Sequence, residues 1–197
     1  MKQKIKDIAD IQIGYQFRGK VETDPQGTHK VIQIRDFDEQ FSLNKENLQT
    51  VRLKGDADRY LVNKNDVLFL SRGHRNYAIP ITVQLNDTVA ASYFFILKIR
   101  TNKILPDYLA WYINQAPAQE YLYNIARRGT HMPLVPLSAF TGLEIEIPDI
   151  KSQSMIVSLS ALLDKEKVLL NKLREKRSQL IKTICLKIAR QRSDQDE

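Results

Sequence analysis

Apolar and polar positions form short runs over the first three-quarters of the chain and follow a helical period over the rest. Before about Pro148, β-rich runs recur between turn residues, which predicts short strands. These runs are residues 29–34, 66–70, 78–85, 92–99 and 142–147. Two helices are predicted among them, at residues 106–115, begun by Pro106 or Asp107, and at residues 117–128, ended by Gly129. The pattern predicts a mixed α/β domain of the α+β class over residues 1–150.

From Ser152 onward the apolar residues recur at three- and four-residue steps, with Lys, Arg, Glu and Gln between them. The resulting apolar stripe comprises Leu159, Leu163, Leu170, Leu173, Leu180 and Ile184. Neither Gly nor Pro follows Pro148, so one helix can run for roughly 38 residues, or about 57 Å. We predict that this C-terminal helix forms a coiled coil. Packing back along its own domain is the alternative.

The charge of the chain is uneven along its length. The net charge is +7, with 30 Lys and Arg residues against 23 Asp and Glu residues. Residues 1–150 hold 19 basic against 17 acidic residues, whereas residues 151–197 hold 11 against 6. A basic excess favours a polyanionic partner. Because residues 1–150 are nearly neutral, any nucleic-acid contact there is expected from local loops.

Cysteine content and hydropathy favour a cytoplasmic protein with no membrane partner. The single Cys185 excludes a disulfide framework, and no eighteen-residue apolar run or signal peptide is found. Cys185 follows the stripe residue Ile184, so we expect a partly buried small apolar residue and not a reactive thiol.

The common catalytic motifs are absent from the sequence. It contains no P-loop, no Rossmann glycine pattern, no zinc-protease histidine pair and no nucleophile elbow. Its histidines, His29, His74 and His131, lie singly among loops without acidic or thiol partners at ligand spacing. No metal site is therefore predicted.

One pattern resembles an enzyme site. Asp107 after Pro106, together with Asp149 and Lys151, mimics the metal-binding set of many nucleases. The alternative is structural, because Asp107 and Asp149 both lie where a helix is predicted to begin and a carboxylate is favoured.

Two loops carry side chains typical of DNA contacts. "SRGHRNY" covers residues 71–77 between two apolar runs, and "RRGTH" covers residues 127–131 after the second helix. Arg donates bidentately to guanine and Asn to adenine, while Thr and His reach base edges or phosphates. We predict DNA contacts from Arg72, His74, Arg75, Asn76, Arg127, Arg128, Thr130 and His131, and phosphate contacts at most from Arg18, Lys20 and Lys30. Tyr77 is expected to pack at the loop base. A solvated turn is the alternative for either loop alone.

The order of segments resembles one half of the specificity subunit of type I restriction-modification systems. The matching segments are "IKDIADIQIGYQF", "YLVNKNDVLFLSRG", "AASYFFILKI", "LPDYLAWYIN", "RRGTHMPLVPLSAFTGLEIEIP" and "PDIKSQSMIVSLSALLDKE". The last is similar to the family's Pro-Leu-x-x-Gln-x-x-Ile start of its long helix, with Pro148, Gln153 and Ile156 in the matching places. The chain departs from that motif at Lys151, Ser152 and Ser154, where an acidic residue commonly precedes the glutamine.

This resemblance implies a role in reading double-stranded DNA. It implies a target recognition domain over residues 1–150, a dimerisation and spacer helix over residues 151–192, and a polar tail over residues 193–197. The usual subunit has two recognition domains and two helices and no catalytic residues. It positions a separate DNA adenine methyltransferase, which uses S-adenosylmethionine, and in some systems a translocating restriction subunit. No cofactor is implied for this chain itself.

The presence of one domain and one helix predicts a second copy. Because the family's two helices run antiparallel, two chains are expected to pair through the apolar stripe as an isologous homodimer. A two-fold protein requires a two-fold target, so we expect an inverted-repeat site with an unread spacer. Pairing with another specificity chain is the alternative to the homodimer. A coiled-coil scaffold without DNA affinity is the alternative to DNA recognition.

Overall fold

The computed structural model describes residues 1–38, 41–55, 57–73, 76–126 and 133–193, with side chains described as far as residue 189. It divides into two compact units, Met1–Ser154 and the segment that begins at Met155, and each is described by itself. The strands are β1 Lys2–Lys4, β2 Ala9–Ile13, β3 His29–Ile32, β4 Gln49–Val51, β5 Val67–Leu70, β6 Tyr77–Pro80, β7 Thr88–Ala90, β8 Phe94–Ile99 and β9 Glu144–Glu146. The α-helices are α1 Ile5–Ile8, α2 Pro106–Ile113, α3 Ala116–Ile125, α4 Leu137–Phe140 and α5 Ile150–Ser193. The predicted mixed α+β domain and the long C-terminal helix are confirmed.

Three small sheets build the first unit. The largest is antiparallel, in the order β2-β8-β5-β6. The second has the order β4-β3-β7, with β3 antiparallel to β4 and parallel to β7, and β1 pairs with β9 in the third. The central strand β5 is apolar at every position. Val67, Leu68 and Phe69 are each 0% exposed, so both faces of the strand are buried, which explains its uninterrupted apolar run.

Several elements are shorter than the apolar runs that predicted them. The strand predicted over residues 78–85 ends at Pro80, because proline has no N–H with which to continue a strand ladder. The next N–H, of Ile81, donates to the Asp66 carbonyl at 2.8 Å. The run at residues 29–34 leaves the sheet after Ile32 and enters a 3-10 turn. The helix predicted over residues 117–128 ends at Ile125, and Gly129 lies outside the described residues.

The edge of β6 is capped by a side chain. Asn114 ends α2, and its Oδ1 accepts a hydrogen bond from the Ala78 N–H at 2.9 Å while its Nδ2 donates to the Ala78 carbonyl at 2.8 Å. This amide copies the pair of bonds that a neighbouring strand would make. It therefore fixes the strand that leads out of the loop at residues 71–76.

The start of α5 is anchored to the first unit. Asp149 precedes the helix, and its carboxylate accepts from the Ser152 N–H at 3.0 Å, which is the N-cap arrangement. Gln153 is 0% exposed. Its Oε1 accepts from the Leu105 N–H at 2.9 Å, and its Nε2 donates to the Lys103 and Pro148 carbonyls at 2.8 Å each. Gln153, which matches the glutamine of the Pro-Leu-x-x-Gln-x-x-Ile motif, is thus a buried structural residue.

The second unit is one helix with its apolar stripe open to solvent. α5 has 44 residues, about 66 Å at 1.5 Å per residue, and extends one residue beyond each end of the predicted range 151–192. The six stripe residues are between 47% and 61% exposed. Cys185 is also exposed in the single chain. Its predicted partial burial concerns the coiled coil and stays a prediction. No described helix has the length and apolarity needed to cross a membrane.

Candidate nucleic-acid interface

Two segments from distant parts of the chain, each next in sequence to a predicted DNA-contacting cluster, pair through their backbones. The Gly73 N–H donates to the Pro133 carbonyl at 3.1 Å, and the Val135 N–H donates to the Ser71 carbonyl at 2.9 Å. Between these bonds Arg72 and Leu134 form an antiparallel bridge. Residues 71–73 and 133–135, here called the paired loops, therefore hold the stems of both predicted DNA-contacting clusters side by side.

The first of the paired loops is fixed from below. Ser71 is buried, and its N–H and hydroxyl both donate to the Tyr93 carbonyl at 2.9 Å. Gly73 has φ +125°, a left-handed conformation that glycine adopts without strain. The Asn76 amide donates to the Leu70 carbonyl at 3.0 Å and closes the loop. Arg72 projects from this fixed base as an exposed side chain.

The described site residues differ in how available they are. Arg72 is exposed, whereas Asn76 is half-buried and its amide N–H is engaged inside the loop. A base contact through that N–H would require breaking the bond to Leu70. Tyr77 packs at the loop base as predicted, with its ring stacked on Phe41 at a centroid distance of 3.7 Å. The predicted residues His74, Arg75, Arg127, Arg128, Thr130 and His131 lie outside the described residues.

The three predicted phosphate contacts lie elsewhere on the first unit. Arg18 and Lys20 are exposed on either side of Gly19, in the segment that follows β2. Lys30 is exposed on β3 and lines a polar concavity of about 520 Å³, together with Lys45 and Asp87. Their contact with phosphate stays a prediction.

A third segment at this surface was missed by sequence reasoning. Residues 33–38 and 41–43 follow β3, and the ring of Phe37 packs on Phe94 at a centroid distance of 5.8 Å. Phe94 is next to Tyr93, whose pKa is raised to about 12 mainly because the ring is buried. The carbonyl of the same Tyr93 holds Ser71. The one signal in the sequence was "QIRD" at the end of an apolar run, where an arginine follows the strand directly.

The nuclease alternative finds no support in the described residues. No group of three or more His, Cys, Asp or Glu side chains that could hold a metal ion occurs among them. Asp149 is engaged as a helix cap, because its second oxygen accepts from the Ser152 hydroxyl at 2.6 Å. These hydrogen bonds from Ser152 lower the pKa of the Asp149 carboxyl. The interpretation of Asp149 and Lys151 as the start of a helix is therefore the better one.

Solved structures show the same fold at low sequence identity. The S subunit of a type I restriction-modification system from M. genitalium is 15% identical, with a TM-score of 0.56, over 84% of this chain and 39% of that chain. The HsdS subunit from Thermoanaerobacter tengcongensis is 15% identical, with a TM-score of 0.61, over 89% of this chain and 45% of that chain. A chain from a structure on complex assembly and conformational transition of the type I R-M system is 12% identical, with a TM-score of 0.67, over 93% of this chain and 43% of that chain.

This chain spans less than half the length of each of the three structures, whose similarity concerns the fold alone. Two further comparisons concern the sequence. No curated protein matches the chain significantly. A sequence profile described as the type I restriction modification DNA specificity domain matches residues 1–179, which is most of both units. The chain therefore belongs to the type I restriction-modification DNA specificity domain family.

Proposed function

We propose that this chain reads one half-site of a double-stranded DNA sequence and positions a partner DNA adenine methyltransferase there. The observation that carries the proposal is the backbone pairing of residues 71–73 with residues 133–135. A solvated turn needs no such partner. The pairing fixes the backbone from which Arg72 projects, and base recognition requires side chains held in a fixed register.

The chain acts in this proposal as a recognition subunit without a catalytic site. The specificity-subunit family is generally non-catalytic. S-adenosylmethionine chemistry and any DNA cleavage belong to partner subunits, including a restriction subunit where one exists. Neither a metal-dependent nuclease nor a scaffold without DNA affinity is favoured by a specific observation.

The assembly that we propose is a homodimer paired through antiparallel α5 helices. The stripe residues Leu159, Leu163, Leu170, Leu173, Leu180 and Ile184 are at least 47% exposed in the single chain. Apolar side chains at helical spacing gain free energy when a second helix covers them, about 25 cal/mol per Å² of apolar area. Two copies related by a two-fold axis would read an inverted repeat with a spacer of fixed length.

Selection from a randomised duplex library by the purified full chain tests this function. We expect one short motif in two inverted copies, bound with an affinity that falls as salt rises, with a slope of about −0.9 per neutralised phosphate. Light scattering on the same sample is expected to give the mass of a dimer. A chain that selects no sequence contradicts the DNA-recognition proposal. An asymmetric site or a monomer contradicts only the homodimer and favours pairing with another specificity chain.

A further inference from the structure

Residues 33–36 form a turn that shares its support with the paired loops. Tyr93 immediately precedes β8, and its carbonyl accepts from Ser71 of the first paired loop. The turn lies beside the same stretch of chain, because the Ala91 N–H donates to the Ile32 carbonyl at 3.0 Å and the ring of Phe37 packs on Phe94 at a centroid distance of 5.8 Å. The turn and the paired loops are therefore both held by residues 91–94.

The turn is rigid for its length. The Gln33 N–H donates to the Asp36 carboxylate at 2.7 Å, within a reciprocal capping box, and the Asn44 N–H donates to the Asp36 carbonyl at 2.8 Å. The Asp36 side chain is only 4% exposed. Farther along the same segment, Phe41 stacks on Tyr77 at the base of the first paired loop. These contacts tie the segment to the sheets at both of its ends.

Two unlike side chains project from this rigid turn. Ile34 is 45% exposed, and the Arg35 side chain is 57% exposed. The ion pair of Arg35 with Asp36 spans 4.0 Å, which is too long for a hydrogen bond. An aliphatic side chain beside an arginine matches the edge of base pairs. Arginine donates bidentately to guanine, and aliphatic carbon contacts the thymine methyl group.

We propose that Ile34 and Arg35 form a third base-reading segment beside the paired loops, a role that rests on the function proposed above. Arg35 reads a guanine and Ile34 packs on the methyl group of an adjacent thymine in the major groove. The rigidity of the turn favours a contact to a base over a contact to a phosphate. Base recognition needs a side chain in a fixed register, whereas a flexible cation is enough to reach a phosphate.

The test uses the purified full chain and a library of duplexes that carries every single-position change in the selected half-site. Arg35→Ala is expected to lose discrimination by about 5- to 150-fold at one G·C pair and to leave the other positions unchanged. Arg35→Lys is expected to lose most of the same discrimination, because an ammonium group cannot make the planar bidentate contact. Arg100→Ala is the matched control. Arg100 is exposed just after the far end of β8, about 20 Å along the strand from Tyr93.

Deoxyuridine tests the isoleucine without altering the protein. Replacing the relevant thymine by deoxyuridine removes only the methyl group, and we expect wild-type affinity to fall by a factor that Ile34→Ala reproduces. The two changes together should cost no more than one alone. This arm also keeps the proposal testable if a variant at residue 34 or 35 melts at a lower temperature than the wild type.

Three outcomes would overturn the proposal. Arg35→Ala with unchanged selectivity would exclude a base contact. A uniform loss over all sequences that Arg35→Lys restores would identify a phosphate contact instead. A wild-type chain that selects no sequence would overturn this inference together with the proposed function, whereas the first two outcomes leave that function standing.

Discussion

The two units of this chain differ in where they keep their apolar residues and their charge. In the first unit strands β5, β7 and β8 bury most of their side chains, and no described buried polar side-chain atom is left without a hydrogen bond. In α5 the stripe leucines are about half exposed, and residues 151–197 hold 11 basic against 6 acidic residues. The first unit has a closed core, whereas the helix has an apolar face that a partner would cover.

This contrast bears on how DNA is recognised. Under the proposed function, a nearly neutral domain has to read DNA through a few cations placed on fixed loops, since overall charge gives no sequence preference. The more basic helix carries its charge on exposed side chains that no loop contact holds in place among the described residues. The contrast therefore predicts that DNA selectivity depends on the placement of single cations in the first unit. It also predicts that self-association depends on the apolar contacts of the helix.

Removing two stripe leucines should have the largest effect. Leu170→Ala with Leu173→Ala is expected to abolish self-association at micromolar concentration, since each truncation of a buried leucine costs about 2–5 kcal/mol. The melting temperature of the first unit should not change. Light scattering and thermal unfolding measure both quantities. Leu186→Ala is the control, because this exposed leucine lies about 140–160° around the helix axis from the other two.

Loss of the Gln153 side chain should be the next largest effect, and it falls on the first unit. Gln153→Leu leaves the Leu105 N–H and the Lys103 and Pro148 carbonyls without this partner in a buried site. We expect a loss of about 2–4 kcal/mol in the free energy of unfolding, measured by urea denaturation. Gln179→Leu, on the exposed face of α5, serves as control. Equal stability of both variants would show that the anchor contributes little.

Removing the arginine of the first paired loop should have a smaller and more local effect. Arg72→Ala is expected to cost about 1–3 kcal/mol of DNA binding and to relax selectivity at one position of the half-site. Because Arg72 is exposed, the thermal stability should be unchanged. Library selection with the variant measures this. Normal affinity at unchanged sequence preference would contradict the assignment of Arg72.

Reversing charge on the helix should have the smallest effect. Lys172→Glu with Arg174→Glu is expected to leave half-site preference and the salt dependence of binding unchanged, because exposed charges beyond about 8–10 Å are screened. Binding titrations at several salt concentrations measure the slope. A decrease of about 0.9 in slope for each lost phosphate contact would instead place DNA along the helix and remove the contrast between the units.

Sequence periodicity was a good guide to elements with strong patterns and a poor one to short polar strands. The helix at residues 150–193 and the buried strand β5 both have uninterrupted patterns and were predicted. Strands β1, β2, β4 and β7 were missed because none of them stands out as a strong apolar run between turn residues, and β1 is Lys-Gln-Lys. Their strand conformation depends on pairing with distant residues, which local propensity does not encode.

The candidate site divides in the same way. The sequence by itself determined which side chains are suited to DNA, the unequal charge of the two regions, and the apolar stripe of the helix, because composition and helical spacing are local properties of the chain. Only the tertiary structure decided that residues 71–73 lie beside residues 133–135, that the turn at residues 33–36 lies beside residues 91–94, and that the Asn76 amide is engaged inside its own loop. The physical reason is that these contacts join residues far apart in the chain, or depend on the fold of a loop, and form only when the sheets have paired.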